Sequence, residues 1–146
     1  MVLIDKDGSI LGCHGTGKPK DSGYDFPKGC VDDGETHFEA ALRELHEETN
    51  LTLDKLVDNG FIASDHITDL GVYRHNSTKN IHIYVCPVKN IPFDELSCNS
   101  FFERNGKQYP EVDGYRMIGK DERFMFNKVL WDKFCVIDES MGKIEF

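Results

Sequence analysis

A mixed α/β or α+β sandwich is the fold class that this sequence predicts. Three observations carry the expectation: short strand-like runs along the chain, two segments with helical spacing, and a length of 146 residues, near the usual size of one domain. Residues 1–146 are therefore read as a single domain. Hydrophobic residues make up 39% and charged residues 29% of the chain, which gives a real core and excludes general disorder.

Met1–Ile4 and Ser9–His14 read as strands joined through Asp5-Lys6-Asp7-Gly8, whose Asp-Gly pair signals a hairpin turn. Gly15–Gly23 reads as loop, Tyr24–Phe26 as a short extended piece stopped by Pro27, and Gly29–Gly34 as a second loop. A helix is expected from Thr36 to Thr49. Ile67–His75 and Asn80–Val88 should form an antiparallel hairpin across the polar turn Asn76–Lys79. Lys89–Pro110 is expected to be a long irregular stretch with aromatics, a functional insertion rather than a plain connection. Val112–Ile118 completes the strands. Asp121–Phe134, with Phe124, Val129, Leu130 and Phe134 at roughly helical spacing, is expected to be a C-terminal helix.

Seventeen basic against 26 acidic residues give a net charge of −9, the wrong sign for a protein that binds nucleic acid or a membrane surface. An acidic protein can still process phosphate compounds where metal cations bridge carboxylate to phosphate. No apolar run approaches the ~18 residues of a spanning helix, and Met1–Ile4 is too short for a signal-peptide core. Five cysteines, an odd number without any C-x-x-C pair, argue against a disulfide framework and a zinc knuckle. A soluble protein of the reducing cytoplasm is expected. His75 and His82, on neighbouring strands, read as surface or packing residues rather than zinc ligands.

Two motif matches fail on chemistry. Gly12–Lys18 resembles a P-loop, but Pro19 stands where Ser or Thr should bind magnesium, and Lys20-Asp21-Ser22-Gly23 cannot open a helix. Asp5-x-Asp7 begins like a calcium loop, yet Ile10 occupies the Gly position and no Glu closes the twelve-residue span.

The helix carries the strongest signal. Thr36 with Glu39 forms a capping box, and Phe38, Ala41, Leu42, Leu45 and Thr49 fall on one core-facing stripe. Glu44, Glu47 and Glu48 cluster on another face. Carboxylates gathered within one turn repel one another, and a helix that only needed solubility would interleave Lys, so a cation is expected there.

From Gly29 the chain runs on through Glu35, Arg43-Glu44-Leu45, Glu47-Glu48 and Asn50-Leu51. This pattern resembles the Nudix box, G-x5-E-x7-R-E-U-x-E-E-x-G-U with U aliphatic, matched everywhere except that Asn50 replaces the last Gly. That position should need left-handed backbone, where Asn is the next best residue. Phe26-Pro27-Lys28-Gly29 resembles the family's lead-in. The run from the Asp5–Gly8 turn through Lys28, the segment Leu70–Tyr73, and Phe101–Glu103 to Pro110–Asp113 resemble a bacteriophage group of Nudix hydrolases acting on FAD, ADP-ribose and diadenosine polyphosphates, which would place the chain in a host cytoplasm.

The resemblance implies a Nudix fold, a mixed sheet sandwiched between helices. It also implies cleavage of a nucleoside diphosphate linked to another moiety. Oxygen-only ligands suit Mg2+ or Mn2+. Carried over, Glu44, Glu47 and Glu48 match the metal ligands, with a backbone carbonyl at Lys28 or Gly29 completing the shell. Arg43 matches the residue that orients the glutamates, and Glu35 its acidic support. Glu111, in a segment resembling one where a Glu helps bind metal or deprotonate water, is the candidate base, with Glu44 its competitor. Tyr73, Phe101 and Phe102 are candidates for stacking on adenine. The expected partner is a small nucleotide conjugate, with no membrane, no nucleic acid, and a homodimer left open. The alternatives are removal of 5′ pyrophosphate or cap from RNA, which the absence of a basic stripe disfavours, and a non-catalytic nucleotide sensor, which need not keep every carboxylate.

Overall fold

Residues 1–63, 67–144 and 146 are described by the structure, a computed structural model. Along β1 (Val2–Ile4) side chains alternate, so that Val2 and Ile4 join one apolar layer while Met1 and Leu3 join another. β2 (Ile10–Gly15) divides in the same way, Ile10 to the first layer and Leu11 to the second. The turn between them closes through Gly8 N–H to Asp5 C=O, as the Asp-Gly pair predicts.

β1 runs parallel to β5 (Asn80–Pro87), pairing Val2 with Val85 and Ile4 with Pro87, and β5 pairs antiparallel with β4 (Thr68–Arg74). β2 pairs with β1 at Ile10, with β3 (Tyr24–Asp25) at Cys13 and His14, and with β8 (Val112–Ile118) along its length. The result is one six-stranded mixed sheet.

Helices cover both faces. α1 (His37–Thr49) and α2 (Leu53–Asp58) close the layer that contains Leu3, Leu11, Leu45, Leu51, Leu56 and Cys86. Thr36 makes the predicted capping box, and Asn50 ends α1 in left-handed backbone at φ 67°. α2 is additional to the sequence expectation: Thr52 caps it through the Lys55 N–H and Leu56 is fully buried.

Two expectations are corrected. Lys89–Pro110 is not irregular throughout: after a 3-10 turn at Phe93–Glu95, β6 (Phe101–Arg104) and β7 (Lys107–Pro110) form a separate hairpin. Its turn is Asn105-Gly106, both in left-handed backbone at φ 52° and 77°, the arrangement a two-residue hairpin favours. Asp121–Phe134 is not one helix. It forms 3-10 segments at Lys120–Met125 and Lys128–Lys133, and the α-helix, α3, lies at Phe134–Met141. Phe126 is extended at ψ 150°, and the next N–H, of Asn127, bonds to Tyr24 C=O. Phe126 thereby packs on Phe26 and Phe134. Of the residues chosen for helical spacing, Leu130 and Phe134 are buried, while Phe124 is 63% exposed.

Among the described residues no helix is long and apolar enough to cross a membrane, and all five cysteines are free thiols.

Candidate active site

The Lys28–Gly29 backbone passes directly over the acidic face of α1. Lys28 N–H donates to Glu48 Oε1 at 3.2 Å. A Cβ at Gly29 would lie 2.1 Å from Glu44 Oε1, so only glycine leaves that carboxylate its place. Glu44 and Glu48 are 9% and 6% exposed, whereas the Glu47 side chain is 36% exposed.

Arg43 holds the group together. Its Nε donates to Glu35 Oε2 at 2.8 Å, Nη2 to Glu35 Oε1 at 3.0 Å and to Cys30 C=O, and Nη1 to Glu44 at 2.7 Å and Glu47 at 3.2 Å. Glu35 thus meets Arg43 as a bidentate partner, a strong and directional pairing, and its carboxyl is held below the usual range by that contact. The box ties loop to helix through this one guanidinium.

Burial dominates the electrostatics. It pushes Glu48 up to about 8 against the Lys28 N–H bond, with the charges of Glu44, Asp25 and Glu111 adding to the rise. Glu44 is raised for the same first reason, against Arg43 and with Glu47 and Glu111 contributing. Crowded, half-desolvated carboxylates of this kind are stabilised by a cation. Among the described residues no three carboxylate, imidazole or thiol groups are already gathered at metal-ligand spacing, because Glu44 and Glu47 turn to Arg43 and Glu48 to Lys28 N–H. The donor set nevertheless fits a hard divalent ion: it is all oxygen and anionic, and the backbone of Lys28 and Gly29 lies against it.

Glu111 is exposed, at the junction of β7 and β8. Its charge acts on both Glu44 and Glu48. Thr16 fixes its backbone twice: Thr16 N–H donates to Glu111 C=O at 3.2 Å and the Thr16 hydroxyl to Pro110 C=O at 2.5 Å. Glu111 N–H donates to Ser100 C=O. His14 anchors the same region, with Nδ1 against the Asp113 carboxylate and Nε2 2.9 Å from Pro19 C=O. Sequence reasoning missed Thr16, His14 and Asp113, since only the pairing of β2 with β8 brings them together.

The aromatic candidates divide. Phe101 is 54% exposed on the β6–β7 hairpin, and Phe102 packs against Tyr109 under the Arg104 guanidinium. The hairpin is moored to the end of α1 by Asn99 N–H to Glu47 C=O and Ser97 N–H to Thr49 C=O, so it stands beside the carboxylates. Tyr73 lies elsewhere: it packs into the layer with Ile83 and Phe134, on the sheet face away from α1, and its hydroxyl donates to Leu70 C=O. His82 is not simply a packing residue. Its Nε2 meets Asp69 Oδ1 at 2.6 Å, its Nδ1 lies 2.8 Å from His37 Nδ1, and its ring stacks on Tyr84.

Comparison with known proteins gives a family and a fold. The NUDIX domain family matches residues 1–118. An RNA pyrophosphohydrolase of Erythrobacter litoralis is 33% identical over 54 residues, 37% of this chain and 33% of that protein. Such matches span about a third or less of the length of the curated relatives. Among solved structures, an Ap4A hydrolase of C. elegans superposes with a TM-score of 0.65 at 16% identity, covering 98% of this chain and 96% of that one. A bifunctional NMN adenylyltransferase/ADP ribose pyrophosphatase of Francisella tularensis gives 0.58 at 20% identity, over 97% of this chain and 40% of its own. At those identities the likeness is one of fold.

Proposed function

Since the chain belongs to the NUDIX domain family, we propose that it is a divalent-metal-dependent pyrophosphohydrolase of small nucleotide conjugates. It would cleave a nucleoside diphosphate linked to another moiety, in a reducing cytoplasm. The observation that carries this reading is the buried pair Glu44 and Glu48 beneath the Lys28–Gly29 backbone, with Arg43 bridging helix and loop. Glu44, Glu47 and Glu48, together with a carbonyl at Lys28 or Gly29, would hold Mg2+ or Mn2+. When bound, the ion offsets diphosphate charge and activates water.

The chain's own residues do the rest. Glu111, exposed and held by Thr16, takes the proton of the attacking water as one P–O bond of the anhydride breaks. Glu44, committed to Arg43 and to metal, is the poorer base. Phe101 and Phe102 offer the nucleobase a stacking surface from the hairpin. The narrower kinship with bacteriophage enzymes acting on FAD, ADP-ribose and diadenosine polyphosphates rests on the run from the Asp5–Gly8 turn through Lys28, on Leu70–Tyr73, and on Phe101–Glu103 to Pro110–Asp113, and belongs to this proposal. Homodimerisation remains compatible with it.

RNA is the second reading, favoured by the RNA pyrophosphohydrolases among the proteins similar to part of this chain; the net charge of −9 opposes it. A substrate panel with Mg2+ separates the two: FAD, ADP-ribose, NADH, diadenosine polyphosphates, nucleoside triphosphates and capped or 5′-triphosphate RNA, with products identified by chromatography. Turnover of the small conjugates supports the first reading, and turnover of RNA alone replaces it. For the base, the pH profiles of kcat are compared between Glu111→Gln and Glu44→Gln. An unchanged rate and acidic limb in Glu111→Gln would transfer the role to Glu44.

A further inference from the structure

A cleft of about 540 Å³ opens between the Lys28–Val31 loop, the first turns of α1 and the turn joining β4 to β5, a volume in the range of small-molecule sites. Its walls carry Lys28, His37, His75, Lys79 and His82, and no Asp or Glu among the described lining residues. In a chain where acids outnumber bases 26 to 17, that is a local inversion of charge. Lys79 makes no ion pair among the described residues; its Nζ lies 3.6 Å from Cys30 Sγ. The buried Nδ1 of His75 has no hydrogen-bond partner among the described residues.

The cleft is continuous with the carboxylates. Lys28 and Gly29 line it and also touch Glu48 and Glu44. On α1, His37, Glu44 and Glu48 share one stripe, with His37 about 10 Å along the axis from Glu44. A group held at Glu44 and a group held at His37 therefore belong to different parts of one ligand. The imidazole pair is fixed in place: His82 Nε2 lies 2.6 Å from Asp69 Oδ1 and His82 Nδ1 2.8 Å from His37 Nδ1, which leaves the Nε2 edge of the exposed His37 ring without a partner among the described residues.

We propose that this cleft is an anion subsite for phosphates beyond the scissile linkage, with Lys79, His37 and His82 as its specificity-determining residues, and that the substrate is a small nucleotide carrying three or more linked phosphates. The inference rests on the hydrolase reading and narrows it, from conjugates in general to oligophosphates over two-phosphate conjugates with a neutral far end. A diphosphate joined to a neutral sugar leaves Lys79 and the imidazoles without an anion to meet.

Two measurements test it. Inorganic tripolyphosphate is titrated into the metal-free full chain by calorimetry, and kcat/KM with Mg2+ is measured for diadenosine tetraphosphate and ADP-ribose. Lys79→Met, which keeps the aliphatic stem, and His37→Ala should each weaken tripolyphosphate at least about tenfold and lower the tetraphosphate to ADP-ribose ratio by a similar factor. Lys6→Ala, exposed in the turn after β1 at the opposite end of that strand from the cleft-lining Met1, should change neither, and unfolding curves confirm that each variant folds. Tripolyphosphate bound equally by wild type and Lys79→Met, or an unmoved ratio, overturns the subsite. Lys79 dependence confined to a 5′-triphosphate RNA overturns the small-molecule assignment. A wild type that cleaves no diphosphate ends the hydrolase reading, while the tripolyphosphate titration still judges the cleft.

Discussion

Gly29 is where a single methyl group would be felt most. Its Cβ would fall 2.1 Å from Oε1 and 2.2 Å from the carboxyl carbon of Glu44, and Glu44 would have to swing aside. Because the obstacle is the end of a flexible side chain, Gly29→Ala should cost no more than about 1 kcal/mol of stability. The displaced carboxylate should nevertheless lower kcat/KM by ~100-fold, as misplacement by an ångström does; steady-state rates beside thermal unfolding check both halves. His14 gives a prediction in pH. Burial works against its charge, but the bonds to Pro19 C=O and Asp113 outweigh it and raise its pKa. A raised pKa means that the folded state holds the proton longer, so the contribution is full below the unfolded value of about 6.5 and is lost as pH climbs through the folded value. The stability gap between wild type and His14→Gln, from denaturant midpoints, should be wide at pH 5.5 and narrow at pH 9. A gap that does not change with pH would mean that His14 is held neutral.

Among the elements, α1 was the most legible, because its start and stop are written in adjacent residues. Thr36 and Glu39 make the capping box, and Asn50 takes the left-handed stop. Thr36→Ala should cost about 1 kcal/mol, or about 3 °C in Tm for a chain of this size. Asn50→Gly should stay within about 0.5 kcal/mol, since easier left-handed backbone offsets the lost bond from Asn50 Nδ2 to Glu95 C=O; differential scanning calorimetry resolves these two outcomes. The box and its acidic face were legible for the same local reason. The C-terminal segment was not, because the extended backbone at Phe126 answers to Tyr24 and Phe26, a hundred residues away, and periodicity holds no record of such a demand. The β6–β7 hairpin was missed although Asn105-Gly106 announces a turn: its strands are largely exposed, so no alternation of apolar and polar residues marks them. The imidazole pair was out of reach too, since His37 and His82 meet only once α1 has packed on β5.

At the scale of the whole molecule, a net charge of −9 and two buried carboxylates oppose folding together. A cation that binds only the folded state shifts the balance by RT ln(1 + [L]/Kd), about 2.7 kcal/mol at a hundredfold excess over Kd. Mg2+ should accordingly raise Tm by about 5–10 °C. Any salt screens an acidic surface, so the control is NaCl at matched ionic strength, which screens without coordinating. Glu48→Gln sharpens the comparison because it acts in opposite directions on the two states. Removing a carboxyl whose ionised form is disfavoured by burial should hold or raise Tm without metal, while removing a ligand should erase most of the Mg2+ increment. Equal increments from Mg2+ and NaCl, or an increment undiminished in Glu48→Gln, would show that the ion acts by screening alone and that the α1 carboxylates are not its site.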